Sequence, residues 1–152
     1  MKEFENINDI LDFAINEEQK AVDLYTQLAA NADSADVKTV FTDFAKEEIT
    51  HKAKLMSIKE NGLFTMSPEA VIDLKIADYK MSVDASPDMT YAEALVFAMK
   101  KEKAAFKLYS KLAERAPNTD LKNVFLSLAA EESKHKLSFE IAKGYETSLS
   151  IS

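Results

Sequence analysis

Apolar residues recur at intervals of three and four along four stretches of the chain, the spacing that places side chains on one face of an α-helix. The first stripe consists of Ile7, Leu11, Ala14, Glu18, Ala21, Tyr25, Leu28 and Ala32, and the second of Val37, Phe41, Phe44, Glu48, His51, Leu55 and Ile58. The third consists of Tyr91, Leu95, Ala98, Glu102, Ala105, Tyr109, Leu112 and Ala116, and the fourth of Leu121, Phe125, Leu128, Glu132, His135, Phe139 and Ala142. The pattern therefore predicts four helices, each with charged or polar side chains on its core face.

Local signals mark the ends of these helices. A serine or threonine before a stripe is typical of an N-cap, and an asparagine, glycine or proline after it is typical of a helix end. These signals are Ser34 before the second helix, Asn61 and Gly62 after it, Thr90 with Glu93 before the third, Pro117 with Asn118 after it, and Gly144 near the expected end of the fourth.

The middle of the chain, residues 61–89, has no long regular stripe and is predicted to be a crossover connection. A connection of this size can run back along a long helix, which a tight turn cannot do. We expect a first hairpin over about residues 7–60 and a second over about residues 90–145. At 152 residues the whole chain is predicted to be one domain.

The two predicted hairpins are copies of each other. Residues 11–55 align with residues 95–139 at a constant offset of 84, with 19 identities in 45 positions. The short turn inside each copy makes its two helices antiparallel. The sequence thus predicts an all-α fold, a four-helix bundle built from two duplicated antiparallel hairpins joined by one long crossover.

The overall composition limits the classes of partner. The net charge of -7 disfavours nucleic acids and anionic membranes, and the absence of cysteine excludes disulfides and thiol chemistry. The first eleven residues lack the basic head and apolar run of a signal peptide, and no stretch is apolar enough to span a bilayer. We expect a soluble cytoplasmic protein that binds neither nucleic acid nor membrane.

The polar members of the stripes form a repeated pattern. His51 and His135 are the two histidines of the chain, and each follows a glutamate, Glu48 or Glu132, by three residues. On a helix this spacing puts both groups within reach of one ion. Glu18 and Glu102 lie 30 residues before these glutamates. Four buried carboxylates need compensation, and two divalent cations would balance them. Oxygen ligands with one nitrogen per ion suit iron or manganese.

This pattern resembles the rubrerythrin-like members of the ferritin-like di-iron carboxylate superfamily, in which two helices supply one Glu each and two supply Glu-x-x-His. The resemblance implies a ferritin-like bundle that binds two iron ions, with manganese or a mixed pair as the alternative. It also implies that Glu48 and Glu132 bridge the ions and that Glu18 and Glu102 are terminal ligands, with His51 and His135 completing the set. The implied function is a di-iron oxidoreductase that reduces hydrogen peroxide or oxygen.

The chain departs from the family in two respects. Rubrerythrins that act as peroxidases have an extra carboxylate one helical turn before the third-helix ligand. This chain has Met99 there and Ile15 at the equivalent place in the first helix. It also lacks the rubredoxin-like module, so electrons would come from an external donor such as a rubredoxin-type protein. We further expect a homodimer.

Several alternatives stay open at this stage. Glu47 and Glu131 are either extra ligands or solvated or supporting partners of the site. Tyr25 and Tyr109 are either core residues or catalytic groups that donate a hydrogen bond to a metal-bound carboxylate, or a proton or electron to the reaction. An iron-storage ferroxidase and a metal-free structural bundle are the alternative functions. The sequence leaves open the metal, the oxidant, the donor and the oligomeric state. It also leaves open whether the hairpins pair within one chain or swap between two, and whether the missing carboxylate abolishes peroxidase activity.

Overall fold

The chain folds into four long helices and one short one in the part that the structure describes. This computed structural model describes residues 4–75, 78–79 and 89–151, with side chains up to residue 141. The helices are α1 (Ile7–Ala30), α2 (Ala35–Glu60), α3 (Pro68–Asp73), α4 (Tyr91–Arg115) and α5 (Thr119–Ile151). The described residues form no strand. The predicted all-α fold is therefore confirmed.

The helix ends follow the local signals. The side chain of Ser34 accepts a hydrogen bond from the backbone N–H of Val37 at the start of α2. Thr90 and Glu93 form a reciprocal capping box at the start of α4. Gly62 has a φ of 58°, the left-handed conformation that ends α2 and that a residue with a Cβ adopts at a cost. Short turns then force antiparallel packing of α1 on α2 and of α4 on α5.

The bundle has three layers along its axis. One apolar cluster contains the start of α1, the end of α2, the end of α4 and the start of α5. The other contains the end of α1, the start of α2, the start of α4 and Phe139 from the middle of α5. Between them lies a polar layer, in which each long helix contributes one or two buried charged side chains. Its members are Glu18, Glu48, His51, Glu102, Glu132 and His135, called the central cluster below. The fourth-stripe residue Ala142 lies beyond the described side chains.

The crossover contributes to one end of the core. It includes the short helix α3, which begins with Pro68 at its first turn and is capped by Ser67. Phe64, Val71, Leu74 and Tyr79 are buried in the apolar cluster formed by the start of α1 and the end of α4. Residues 76–77 and 80–88 of the predicted crossover lie outside the described residues. The division of the chain into domains stays a prediction.

Helix α5 does not end where the sequence indicated. It continues through Gly144 to Ile151, so the expected end near Gly144 is wrong. A single glycine costs a helix only about 1 kcal/mol relative to alanine, and no proline follows it. Among the described residues, no helix combines the length and apolar character needed to cross a bilayer.

We expect the layered core to make Leu112 a strong determinant of stability. Leu112 is 0% exposed, and Leu112→Ala should lower the free energy of unfolding by about 2–5 kcal/mol, because the cavity it leaves cannot fully collapse. Leu137→Ala is the matched control, since Leu137 is 56% exposed and should change the stability by less than about 0.5 kcal/mol. Urea unfolding of the metal-free variants, followed by circular dichroism, measures both. Equal losses in the two variants would contradict this core assignment.

Candidate metal centre

The central cluster is almost completely shielded from solvent. Its four glutamates and two histidines are each 1–2% exposed. Glu18 and Glu102 come from α1 and α4, and the two Glu-x-x-His pairs come from α2 and α5. The structure thus brings together all six residues that the sequence singled out.

The six residues form two overlapping groups of ligand atoms. In each group, one atom from every member lies within 4.8 Å of one atom from every other member. Glu48 and Glu132 belong to both groups. The first group adds Glu18 and His51, and the second adds Glu102 and His135. This is the arrangement that two ions with two shared carboxylates would require.

Several polar atoms of the cluster lack a well-aligned hydrogen bond. Among the described residues, the buried side-chain atoms without a well-aligned hydrogen bond are Glu18 Oε2, both carboxylate oxygens of Glu48, Glu102 Oε2 and His135 Nδ1. Of these, Nδ1 of His135 lies 3.0 Å from Oε1 of Glu48. Leaving such an atom buried and unpaired costs about 1–3 kcal/mol, and more for a charged group. All of these atoms belong to residues of the two ligand groups. The donor set therefore fits a pair of oxygen-preferring cations with one imidazole each.

The two histidines are held from their outer side. Nε2 of His51 contacts the carboxylate of Glu131, and Nε2 of His135 contacts that of Glu47. Nδ1 of His51 instead lies 2.6 Å from Oε1 of Glu132 in the cluster. A carboxylate on the outer nitrogen fixes the tautomer and leaves the inner nitrogen available to an ion. Of the two roles left open for Glu47 and Glu131, the structure therefore favours the supporting one.

The two tyrosines support the carboxylates in the same reciprocal way. The hydroxyl of Tyr25 on α1 donates to Oε1 of Glu102 on α4, and that of Tyr109 on α4 donates to Oε1 of Glu18 on α1. Burial and the neighbouring carboxylates raise the pKa of both tyrosines well above 10.0. Both hydroxyls therefore keep their protons and act as hydrogen-bond donors in the resting protein.

The cluster holds protons in the absence of cations. Burial, then the charge of Glu48, raises the pKa of Glu18, and burial, then the charge of Glu102, raises that of Glu132. Burial alone would raise the pKa of Glu48, but its interactions with Glu18 and His135 lower it to about 2. Burial likewise opposes the charge on His135, yet Glu102 and Glu48 raise its pKa to about 10. Protons thus offset part of the charge that cations would otherwise balance.

Two positions singled out for departing from the family are ordinary core residues. Ile15 and Met99 are partly buried and pack against the two apolar clusters. Sequence reasoning missed a different pair, Glu17 and Lys101, which form an ion pair of 2.7 Å beside the central cluster. Their position directly before Glu18 and Glu102 in the two repeats was the available signal.

Comparisons with known proteins agree on the fold. The family model described as Rubrerythrin matches residues 9–85 and 93–148. A ferritin-like-encapsulin shell fusion protein from Pyrococcus furiosus is 30% identical over 108 residues, which cover 71% of this chain and 29% of that protein. The chain thus spans less than a third of that relative. A structure from Thermotoga maritima, described as a ferritin-like diiron-carboxylate protein, has a TM-score of 0.74 at 21% identity and covers 94% of this chain and 97% of its own.

The buried state of Glu18 predicts a pH-dependent effect of Glu18→Gln in the metal-free protein. Because the folded pKa of Glu18 is raised above 4.5, its protonated form stabilises the fold at low pH, and this contribution is lost as the pH rises through the raised value. Glutamine mimics the protonated form at every pH. Relative to the wild type, the variant should therefore gain at least about 1 kcal/mol in free energy of unfolding between about pH 4 and pH 8.

Urea unfolding of the metal-free proteins at the two pH values measures this gain. Glu60→Gln, which removes one exposed carboxylate, is the control for the loss of a surface charge. A gain of the same size in both variants, or a constant difference between Glu18→Gln and the wild type, would contradict the pKa shift.

Proposed function

Because this chain belongs to the rubrerythrin family, we propose that its central cluster binds two iron ions and that the protein reduces hydrogen peroxide, or oxygen, with electrons from an external donor. The observation that carries the proposal is the pair of overlapping ligand groups sharing Glu48 and Glu132. We place Glu18 and Glu102 as terminal ligands and His51 and His135 as the nitrogen ligands. Manganese or a mixed pair fits the same donor set.

Charge balance supports two cations rather than one. Four ionised carboxylates carry four negative charges, and a pair of divalent ions supplies four positive ones. In the wholly buried layer, a single ion would leave two charges uncompensated, and each uncompensated buried ion costs several kcal/mol. Metal binding would also release the protons that Glu18 and Glu132 hold in the metal-free state.

The protein's own groups hold this centre in one geometry. Glu47 and Glu131 orient the imidazoles from outside, and Tyr25 and Tyr109 donate hydrogen bonds to the terminal carboxylates. Removing such supporting partners typically costs about 10–100-fold in metal affinity or activity. We assign the two tyrosines as positioning residues for Glu102 and Glu18.

A bound ferrous pair supplies Lewis acidity and one electron per ion, which is the stoichiometry for reducing one peroxide to two waters with two protons. The apolar clusters on both sides keep bulk water away from the layer. The 152 residues contain no cysteine, so none of them can bind an electron relay through a thiolate. We propose that an external donor, such as a rubredoxin-type protein, re-reduces the centre. We propose a cytoplasmic homodimer.

Iron storage is the second candidate, because the Pyrococcus furiosus relative is described as a ferritin-like protein fused to an encapsulin shell. In this alternative, the same centre would oxidise ferrous iron for a larger assembly. The two candidates differ in iron stoichiometry and particle size. A storage protein would accumulate many irons per chain, whereas the oxidoreductase would retain only its dinuclear centre.

The shared position of Glu48 predicts unequal effects of two ligand substitutions. After anaerobic loading with ferrous iron and desalting, the wild type should retain about two irons per chain. Glu48→Ala should lose most of both, because Glu48 belongs to both ligand groups, and Glu18→Ala should keep about one, because Glu18 belongs to one group. Elemental analysis with size-exclusion chromatography measures this. Equal content in all three proteins would contradict the site, and many irons per chain in a large particle would favour storage.

The proposed activity predicts that hydrogen peroxide oxidises the loaded protein faster than oxygen does. Stopped-flow absorbance of the anaerobic diferrous protein, mixed with equal concentrations of either oxidant, measures the two rates. We expect at least about a 10-fold difference in favour of peroxide, since the two electrons of the pair reduce one peroxide completely to water but reduce one dioxygen only to the level of peroxide. Glu48→Ala, which should retain little iron, is the control for absorbance changes that do not come from the iron pair. Faster oxidation by oxygen would contradict the proposed peroxidase activity and indicate an oxidase instead.

A further inference from the structure

The outer face of α4 carries a stripe of exposed lysines. Its members follow one another at intervals of three and four residues, which places them on one side of the helix. They are Lys100, Lys103, Lys107 and Lys111, called the lysine stripe below. Glu102 projects from the opposite side of the same helix into the central cluster. The lysine stripe therefore lies on the back of a helix that supplies a ligand to the proposed centre.

The equivalent face of α1 has no such stripe. At the constant offset of 84 residues, the positions that correspond to the four lysines are Asn16, Gln19, Asp23 and Gln27. The two helices have equivalent places in the bundle, and each supplies one glutamate and one buried tyrosine to its central layer. Because α1 packs in the same way without lysine at these positions, the fold does not require the lysine stripe.

The lysine stripe is unfavourable for the helix itself. Lys103, Lys107 and Lys111 are spaced four residues apart, and like charges at this spacing lower the stability of a helix. Lys111 lies 3.4 Å from Glu114, but the other three lysines form no ion pair with a carboxylate of the described residues. A partner of opposite charge that covers the stripe would relieve this repulsion.

The positive charge of α4 contrasts with the charge of the whole chain. Helix α4 contains six basic and three acidic side chains, a net charge of +3, whereas α1 contains one basic and five acidic ones, a net charge of -4. The chain as a whole has a net charge of -7. An acidic protein is therefore repelled by the net charge of the chain but attracted to this one face, which also orients it.

An exposed aromatic side chain lies at the edge of the lysine stripe. Phe106 is 42% exposed and follows Lys103 by three residues, so the two side chains are neighbours on the helix surface. The equivalent residue of α1 is Val22. Aromatic side chains are enriched where proteins contact each other. Phe106 thus favours a protein, rather than a free small anion, as the partner of this face.

We propose that the lysine stripe is the docking site of the electron donor, a small acidic protein that carries one electron. This inference rests on the proposed function and deepens it by naming the surface that the donor uses. A docked carrier is separated from the centre by α4 alone, a layer about 10–12 Å thick with its side chains, which an electron crosses without a further cofactor. Two carriers in succession, each oxidised by one electron, return the two ferric ions to the ferrous state.

Binding of oxidised rubredoxin to the oxidised protein tests this docking site without any electron transfer, and oxidised flavodoxin is the second acidic carrier. In the double substitution Lys103→Gln with Lys107→Gln, we expect the Kd for either carrier to rise by about 10-fold, because two attracting charges are removed. Isothermal titration calorimetry measures this. The matched control, Asn16→Asp with Gln27→Glu, changes the net charge equally at equivalent positions of α1 and should leave the Kd within about 2-fold of the wild type.

The rate of re-reduction is the second readout. The second-order rate constant for reduction of the diferric protein by reduced rubredoxin should fall by about 10-fold between about 0.01 M and about 0.1 M salt, because screening shortens the reach of the charges from about 30 Å to about 10 Å. Dithiothreitol, an uncharged small reductant, needs no docking surface. Its rate should be the same within about 2-fold in the wild type and in the double variant.

The two readouts separate failure of the docking site from failure of the proposed function. A protein that binds both carriers at the lysine stripe but reduces no peroxide would overturn the proposed activity and support the docking site. An unchanged Kd in the double variant, an equal loss of affinity in the α1 control, or no binding of either carrier would overturn the docking site. Tighter binding of a short DNA duplex than of either carrier would overturn it in favour of a nucleic acid.

A merely structural role of the lysines would give a different result. The double variant would then melt at a lower temperature and bind the carriers as tightly as the wild type does. We expect the melting temperature, followed by circular dichroism, to stay the same or to rise, because repulsion between neighbouring lysines is removed. Iron content is measured for each variant, so that a lost centre is not mistaken for a lost docking site.

Discussion

Everything in this bundle depends on accommodating four carboxylates in a layer that water does not reach. An isolated buried carboxylate costs several kcal/mol even after the protein relaxes, and four together repel one another. Apolar packing alone therefore cannot stabilise this layer. Apolar clusters on either side hold the helices together, and the layer between them needs partners of positive charge, which protons supply in part and cations can supply in full.

The partners that support the layer come from the opposite repeat. The hydroxyl of Tyr25 in the first hairpin donates a hydrogen bond to Glu102 in the second. The hydroxyl of Tyr109 in the second hairpin likewise donates one to Glu18 in the first. Each histidine is likewise held by the glutamate that precedes the other histidine's Glu-x-x-His motif. The buried polar groups of each hairpin thus take hydrogen-bond partners from the other hairpin. The geometry of the centre therefore depends on the packing of the two hairpins against each other.

Much of this could be predicted from the sequence because helical periodicity and internal duplication are both local or repeated signals. The four stripes, the capping box at Thr90 and the left-handed Gly62 all follow from residue types at fixed spacings, and family membership agrees with the resemblance noted from the six-residue pattern. The partners of Glu47 and Glu131 could not be assigned, because they depend on contacts between helices about 80 residues apart. The burial of Lys101 was missed for the same reason. The short helix α3 was missed although Ser67 and Pro68 mark its start, because six residues are too few for a helical stripe. The residue types around Gly144 do not show whether this glycine lies inside the helix or at its end.

The contact between Glu17 and Lys101 is one that only two separately encoded repeats can make. Equivalent residues of the two repeats touch only where they straddle the twofold axis that relates the repeats. In a homodimer of identical single hairpins, such a residue would meet its own copy, and an ion pair there would be impossible, because like charges would face each other. The opposite charges at these two positions therefore required two independently mutable copies. A chain that carries both repeats can therefore encode an asymmetry that a dimer of two identical hairpins cannot.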